Sequence, residues 1–218
     1  MHAADQMTVP AWVQAGSMDT LLEIFRDEIN LAVWQRPLAT SVERFSDALL
    51  QCGGQLAESH TLDVITDDSG NCAVRMPRLA GAMSHLEGYA DFVADVAHLV
   101  DAFACLVDAQ IIGLRLRSLE QAMCPRWHVD HVPVRLVTSY AGPGSEWLAE
   151  GQLPREHLGG PGIDRYARHV HGQALGVGEV ALLKGERWQG NTGRGLIHRS
   201  PGVRQGERRL LLTLDWLK

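Results

Sequence analysis

His128-Val129-Asp130, with His198 seventy residues on in Gly195-Leu-Ile-His-Arg-Ser-Pro201, holds the residue types most suited to chemistry. Two imidazoles and one carboxylate make a facial triad for a divalent metal, usually non-haem iron(II), with positions left open for substrates. The spacing has a physical basis. On a β-strand, residues i and i+2 point to one face, so His128 and Asp130 can reach one metal from one strand. His198 must then arrive on a strand brought alongside. An Asp turned into a barrel beside a His needs a partner to offset its desolvation, and a bound cation supplies one.

The elements that must position these residues are largely β. Pro125 to Pro133 reads as an extended run carrying the HxD. Val134 to Tyr140 reads as a second strand, followed by a turn at Gly142-Pro-Gly144 and a short run, Ser145 to Leu148. Val180 to Leu183 is the next strand, and Arg208 to Trp216 the last. Upstream, Ile111 to Arg117 alternates with period two. Ser84, with Glu87 three residues later, has the pattern of a capping box. It opens a helix through Asp108 whose stripe is Tyr89, Phe92, Val93, Val96, Leu99, Val100, Phe103 and Val107, leaving Asp91, Asp95 and Asp101 nearer solvent. Ser17 or Asp19 caps an earlier apolar segment, of which Asn30 to Trp34 reads alternatively as a strand. Ser41 to Leu50 is a short helix and Leu62 to Ile65 a short strand. The Gly-rich segment 149–178 is a long connection with a short helix near Asp164 to His169, placed where a lid would form.

The order HxD, distal His, then Arg about ten residues on resembles the double-stranded β-helix oxygenases that use iron(II) and 2-oxoglutarate. Cys124 to Leu148, Gly185 to Ser200 and Arg209 to Trp216 are together similar to an uncharacterised bacterial family, domain of unknown function 1826. That likeness implies an α+β fold: a double-stranded β-helix (jelly-roll, cupin-like) core with N-terminal helices packed on the outside. Residues 1–109 are expected as a mainly helical elaboration and 110–218 as the metal-binding region of one compact domain. The oxygenase resemblance implies that an arginine after the distal His binds the far carboxylate of 2-oxoglutarate. Arg208 and Arg209 alternate faces, and Arg209 is preferred because it opens the run the narrower likeness covers. Thr213 shares its face. Tyr140 is either a hydrogen-bond donor to the cosubstrate or an ordinary strand aromatic.

Two readings follow. The first is an iron(II)/2-oxoglutarate oxygenase with His128, Asp130 and His198 as ligands and catalytic centre, and Arg209, Tyr140 and Thr213 around the cosubstrate. The rival is a zinc-binding cupin-like protein without redox chemistry, a hydrolase or a zinc-homeostasis factor. It draws on the same three ligands and on the narrower family's implied proximity to zinc-responsive genes. A metal-free β-sandwich binding module is a third. The substrate, a small molecule or a protein, is not named by any motif.

Composition narrows the partners. At 218 residues and 45% hydrophobic, the chain has length for one substantial core. A net charge of −6 without a basic run argues against nucleic acid. Cys52, Cys72, Cys105 and Cys124 form no CxxC pair, so neither a disulfide framework nor a zinc knuckle is indicated. No basic-then-apolar leader and no membrane-length apolar run is read, and a cytoplasmic location is expected. His131 faces the other way from Asp130 on a regular strand. His169 and His171 share i,i+2 spacing within the Gly-rich connection.

Overall fold

The computed structural model describes residues 9–66, 72–160, 163 and 169–217. Its frame is two facing β-sheets. Four antiparallel strands of the C-terminal half make the centre of the larger one: β5 (Ile111–Leu119), β6 (Val134–Ala141), β9 (Val180–Lys184) and β11 (Arg209–Trp216). They run in the spatial order β9, β6, β11, β5. The smaller sheet is built from β7 (Glu146–Trp147), β8 (Gln173–Ala174) and β10 (His198–Arg199), in the order β10, β7, β8. His128 joins its edge through an isolated bridge to His198.

Alternation along the central strands decides what each face meets. On β11, Leu210, Leu212 and Leu214 enter the main core, with Leu136 and Tyr140 of β6 and Leu182 of β9. Two helices cover this face: α1 (Thr40–Gln51), through Val42, Phe45 and Leu49, and α2 (Tyr89–Leu106), through Phe92, Val96, Leu99, Val100 and Phe103. Burying each large apolar side chain contributes roughly 1.5–3 kcal/mol. The opposite parity, Val137, Ala181, Leu183 and Leu211, packs against Trp147 and Leu175 of the smaller sheet region. A third cluster, Trp127, Leu148, Leu153, Ile163 and Ile197, lies on the far side of the smaller sheet.

Four further strands come from the N-terminal half. β1 (Ala11–Ala15) pairs parallel with β2 (Ile29–Trp34), and β2 pairs antiparallel with β9. β3 (Ala57–Thr66) pairs with β5, and β4 (Cys72–Val74) with β3. The larger sheet is thereby extended on both flanks to eight strands. The N-terminal half thus contributes strands to the sheet as well as helices to its face. Residues Met18–Phe25 form a 3-10 helix, capped by the Ser17 hydroxyl accepting from the Asp19 amide, and the chain turns at once into β2. Strong apolar moments in short segments resemble helices until a sheet edge is present to receive them.

The α2 helix starts later than a capping box at Ser84 would have it. Gly88 supplies the N-cap in a left-handed conformation, where a side chain would collide with the Ser41 carbonyl. Asp95 also departs from expectation. It turns inward to pair with Arg36 at 2.5 and 2.8 Å and to accept from the Tyr140 hydroxyl at 2.6 Å. Burial opposes ionisation of Asp95, but the bonds from Arg36 and Tyr140 outweigh it and hold its pKa below the ordinary carboxylate value. No helix among the described residues is long and apolar enough to cross a membrane.

Candidate metal centre

His128 and His198 face each other across the edge of the smaller sheet. Their backbones exchange two hydrogen bonds, His128 N–H to His198 O at 3.0 Å and His198 N–H to His128 O at 2.9 Å. Each imidazole donates Nδ1–H to a carbonyl two residues back: Arg126 for His128 at 2.9 Å, and Leu196 for His198 at 3.1 Å. A carbonyl only accepts, so the proton belongs on Nδ1 and each Nε2 lone pair is left for a metal. Asp130 completes the group. Its Oδ1 lies 3.9 Å from His128 Nε2 and its Oδ2 lies 3.3 Å from His198 Nε2. One ligand atom from each residue falls within 4.8 Å of the others, the only such His/Cys/Asp/Glu group among the described residues.

The HxD segment is less regular than a strand. Only His128 is bridged, and the chain then turns toward β6. Packing of the β9 end sets the Asp130 backbone. Gly185 donates its N–H to Pro133 O, and Glu186 donates to Asp130 O at 2.9 Å. A Cβ on Gly185 would stand 2.1 Å from the Val132 carbonyl oxygen and 2.8 Å from that of Asp130. The Glu186 carboxylate then accepts from the Gly193 and Gly195 amides, which shapes the turn leading to His198.

Charge around the centre is organised by Arg135 of β6. It donates Nη1–H to Asp130 Oδ2 at 2.8 Å and Nε–H to Asp215 Oδ1 at 2.6 Å. Asp215, buried on β11, also pairs with Arg115 of β5. Burial opposes the charged form of Asp130. The neighbouring His198, Arg135 and His128 outweigh it, so its pKa lies well below the ordinary carboxylate range. Burial and the facing His198 push the His128 pKa down, which favours the neutral, ligating form. Arg135 and Asp215 carried no motif. Five residues on a regular strand would set Arg135 on the face opposite to Asp130; the bend at 131–133 brings the two together, and Arg135 then shares the face that β11 presents with Thr213.

Arg209 lies on the same face of β11, and it is only 1% exposed. Its guanidinium donates to three serine hydroxyls: Ser139 at 3.1 Å, Ser145 at 2.7 Å and Ser200 at 3.4 Å. No carboxylate pairs with it among the described residues. Burial alone lowers its pKa to about 10. Arg208 turns the other way, to the Leu50 and Gly53 carbonyls and Glu120. Thr213, Val137, Leu183 and Leu211 line a small cavity, about 50 Å³, together with Arg135, both histidines, Ser145 and Ser200.

Other expected residues fall elsewhere. Tyr140 has the opposite parity to Arg135, so it lies in the helix-side core against Phe92 and does not reach the cavity. None of the described part of 149–178 lines the cavity. Leu153 and Ile163 instead cover the outer face of the smaller sheet, and the helix expected near Asp164 to His169 lies largely outside the described residues. Met123 and Cys124, both exposed, and Arg199 form the cavity wall instead. His131 is exposed and, like His169 and His171, is not in the ligand group.

Known proteins share the family and the fold. Residues 15–215 match the family described as "Protein of unknown function (DUF1826)". No curated protein sequence matches the chain. Among solved structures, the rice dioxygenase for auxin oxidation superimposes with a TM-score of 0.52 at 11% identity, over 96% of this chain and 83% of that one. Dioxygenase for auxin oxidation 1 from Arabidopsis thaliana, solved in complex with 2-oxoglutarate, also gives 0.52, at 10% identity over 96% and 92%. At such identities the fold is what is shared, and it is the double-stranded β-helix fold of 2-oxoglutarate oxygenases.

Proposed function

For a chain that belongs to the DUF1826 family, whose description assigns no function, we propose a metal-dependent oxygenase that uses 2-oxoglutarate. His128, Asp130 and His198 would hold iron(II), and Arg209 would take the far carboxylate of the cosubstrate. The observation that carries this reading is the buried guanidinium without a carboxylate partner. An unpaired buried charge is costly, and a protein that only stored or used zinc has no need of one. A carboxylate arriving there would meet a planar fork of donors and three hydroxyls.

The donor set suits the metal. Two neutral imidazoles with fixed Nδ1 protons and one ionised carboxylate leave roughly half of an octahedral sphere open. Bound iron would supply the activation of dioxygen. The chain's own part would be to orient the cosubstrate over Thr213 and Val137, toward Arg209 behind the lining hydroxyls of Ser145 and Ser200, and to keep water out with Leu183 and Leu211. The cavity meets solvent beside the exposed Met123 and Cys124, the side from which a cosubstrate would enter.

Cys124 on the same wall is the one feature that favours zinc, because a thiolate is a soft ligand. Anaerobic calorimetry separates the readings. Iron- or manganese-loaded protein should bind 2-oxoglutarate with one site, and Arg209→Ala should lose that binding while keeping the metal. Absence of 2-oxoglutarate binding with tight zinc uptake would refute the oxygenase and support the zinc reading, as hydrolase or zinc-homeostasis factor.

A further inference from the structure

We propose that Arg135 is the positioning residue of the metal centre, holding Asp130 as a one-oxygen ligand; this rests on the metal part of the reading above and not on the cosubstrate. Arg135 engages Asp130 Oδ2 directly, 2.8 Å from Nη1. Oδ1 lies 3.9 Å from His128 Nε2 and Oδ2 lies 3.3 Å from His198 Nε2, so both oxygens border the site and the arginine occupies one of them. A carboxylate free at both oxygens can chelate and occupy two positions. One held by an arginine occupies a single position and leaves the neighbouring one for a ligand.

The hold is rigid because Arg135 is itself held. Its Nε donates to Asp215 Oδ1 at 2.6 Å, and Asp215 is 1% exposed on the central strand β11. Arg115, on the next strand, pairs with the other Asp215 oxygen. The result is an alternating row, Arg115, Asp215, Arg135, Asp130, that crosses β5, β11 and β6 and ends on a ligand. Strand register fixes it, since Asp215 stands opposite Arg135 on one side and Gly113 on the other. The row is neutral as a whole, two positive against two negative groups. The site therefore does not attract a metal by excess charge, and it must bind one by geometry.

Cobalt(II) is the probe, because its visible absorption reports coordination number as well as uptake. Wild type, Arg135→Gln, Arg135→Lys and Asp215→Asn are titrated with Co²⁺ without 2-oxoglutarate, after circular dichroism verifies folding. Loss of an outer partner of a metal ligand typically weakens affinity about 10–100-fold, and that loss is expected for Arg135→Gln. Its spectrum should change as both Asp130 oxygens reach the metal. Arg135→Lys keeps one donor and should recover part of both readouts. Asp215→Asn leaves the guanidinium but loosens it, and should move both in the same direction by less. If Arg135→Gln does not fold, the other two variants carry the comparison. Wild-type affinity and spectrum in the variants would overturn the assignment. So would tighter binding, which would mean that Arg135 acts as a repelling charge. Wild type that takes up no Co²⁺ would overturn the metal reading itself and this assignment with it.

Discussion

Replacing Arg209 by methionine sets stability against binding. In the ligand-free protein the guanidinium has only hydroxyl partners, and burial lowers its pKa from the ordinary arginine value to about 10. That difference corresponds to roughly 3 kcal/mol of uncompensated desolvation. Three hydrogen bonds to serine, at about 1 kcal/mol each, offset about as much. Methionine fills similar volume and brings no charge. The folded state should therefore change by less than about 2 kcal/mol in either direction, whereas removal of a buried, fully paired arginine typically costs 3–5 kcal/mol. Binding moves far more. A two-point guanidinium–carboxylate contact, at roughly 1.5–3 kcal/mol per charged hydrogen bond, makes the loss at least about 100-fold in 2-oxoglutarate affinity. Urea denaturation gives the first quantity, and calorimetry on manganese-loaded protein under argon gives the second. A variant that unfolds several kcal/mol more easily yet binds 2-oxoglutarate unchanged would refute the reasoning. Arg209 would then be a strut for the three serines and not an anion site.

Three further outcomes test the surroundings. Tyr140→Phe should cost about 1.5–3 kcal/mol by deleting its bond to the ionised Asp95, with 2-oxoglutarate affinity unchanged; weaker cosubstrate binding at unaltered stability would contradict its placement. Gly185→Ala, whose methyl would press on the 130–132 backbone, should destabilise by roughly 1–3 kcal/mol and weaken Mn²⁺ binding, measured by paramagnetic resonance. Amides of 120–126 should change their exchange with deuterium when manganese and 2-oxoglutarate are added together, because Met123 and Cys124 line the cavity; identical exchange would mean that the cosubstrate does not enter there.

Much of the site is legible in local spacing. His128 and Asp130 fall together because they are two apart, and Arg209 and Thr213 share a face while Arg208 leaves it, as strand alternation requires. What alternation does not supply is which parity faces inward on each strand. Tyr140 looked as well placed as Arg135 until the pairing of β6 with β11 put Arg135 opposite Asp215. The three serines around Arg209 come from β6, the turn before β7 and the residue after β10, and no single segment signals their convergence. Asp95 was misplaced toward solvent for a similar reason, since its partner Arg36 lies fifty-nine residues away. In the N-terminal half, the short apolar runs that become β1 and β2 are decided by the sheet edge they join, and a window of residues does not contain that edge.

The flanking strands carry a consequence for anyone who would cut this chain at residue 110. β2 pairs with β9 on one side, and β3 pairs with β5 on the other. A C-terminal fragment would retain every proposed ligand and still present two raw hydrogen-bonding edges, one of them beside the fully buried β9. Such edges seek other copies, so the fragment should aggregate where the whole chain does not. The β2–β9 pairing sets Leu31 opposite Leu183, so the metal-binding end cannot close until the beginning of the chain has come back to it. Folding should accordingly be slow and all-or-none. The His, Asp and His are thus inherited as a unit with strands that never touch them.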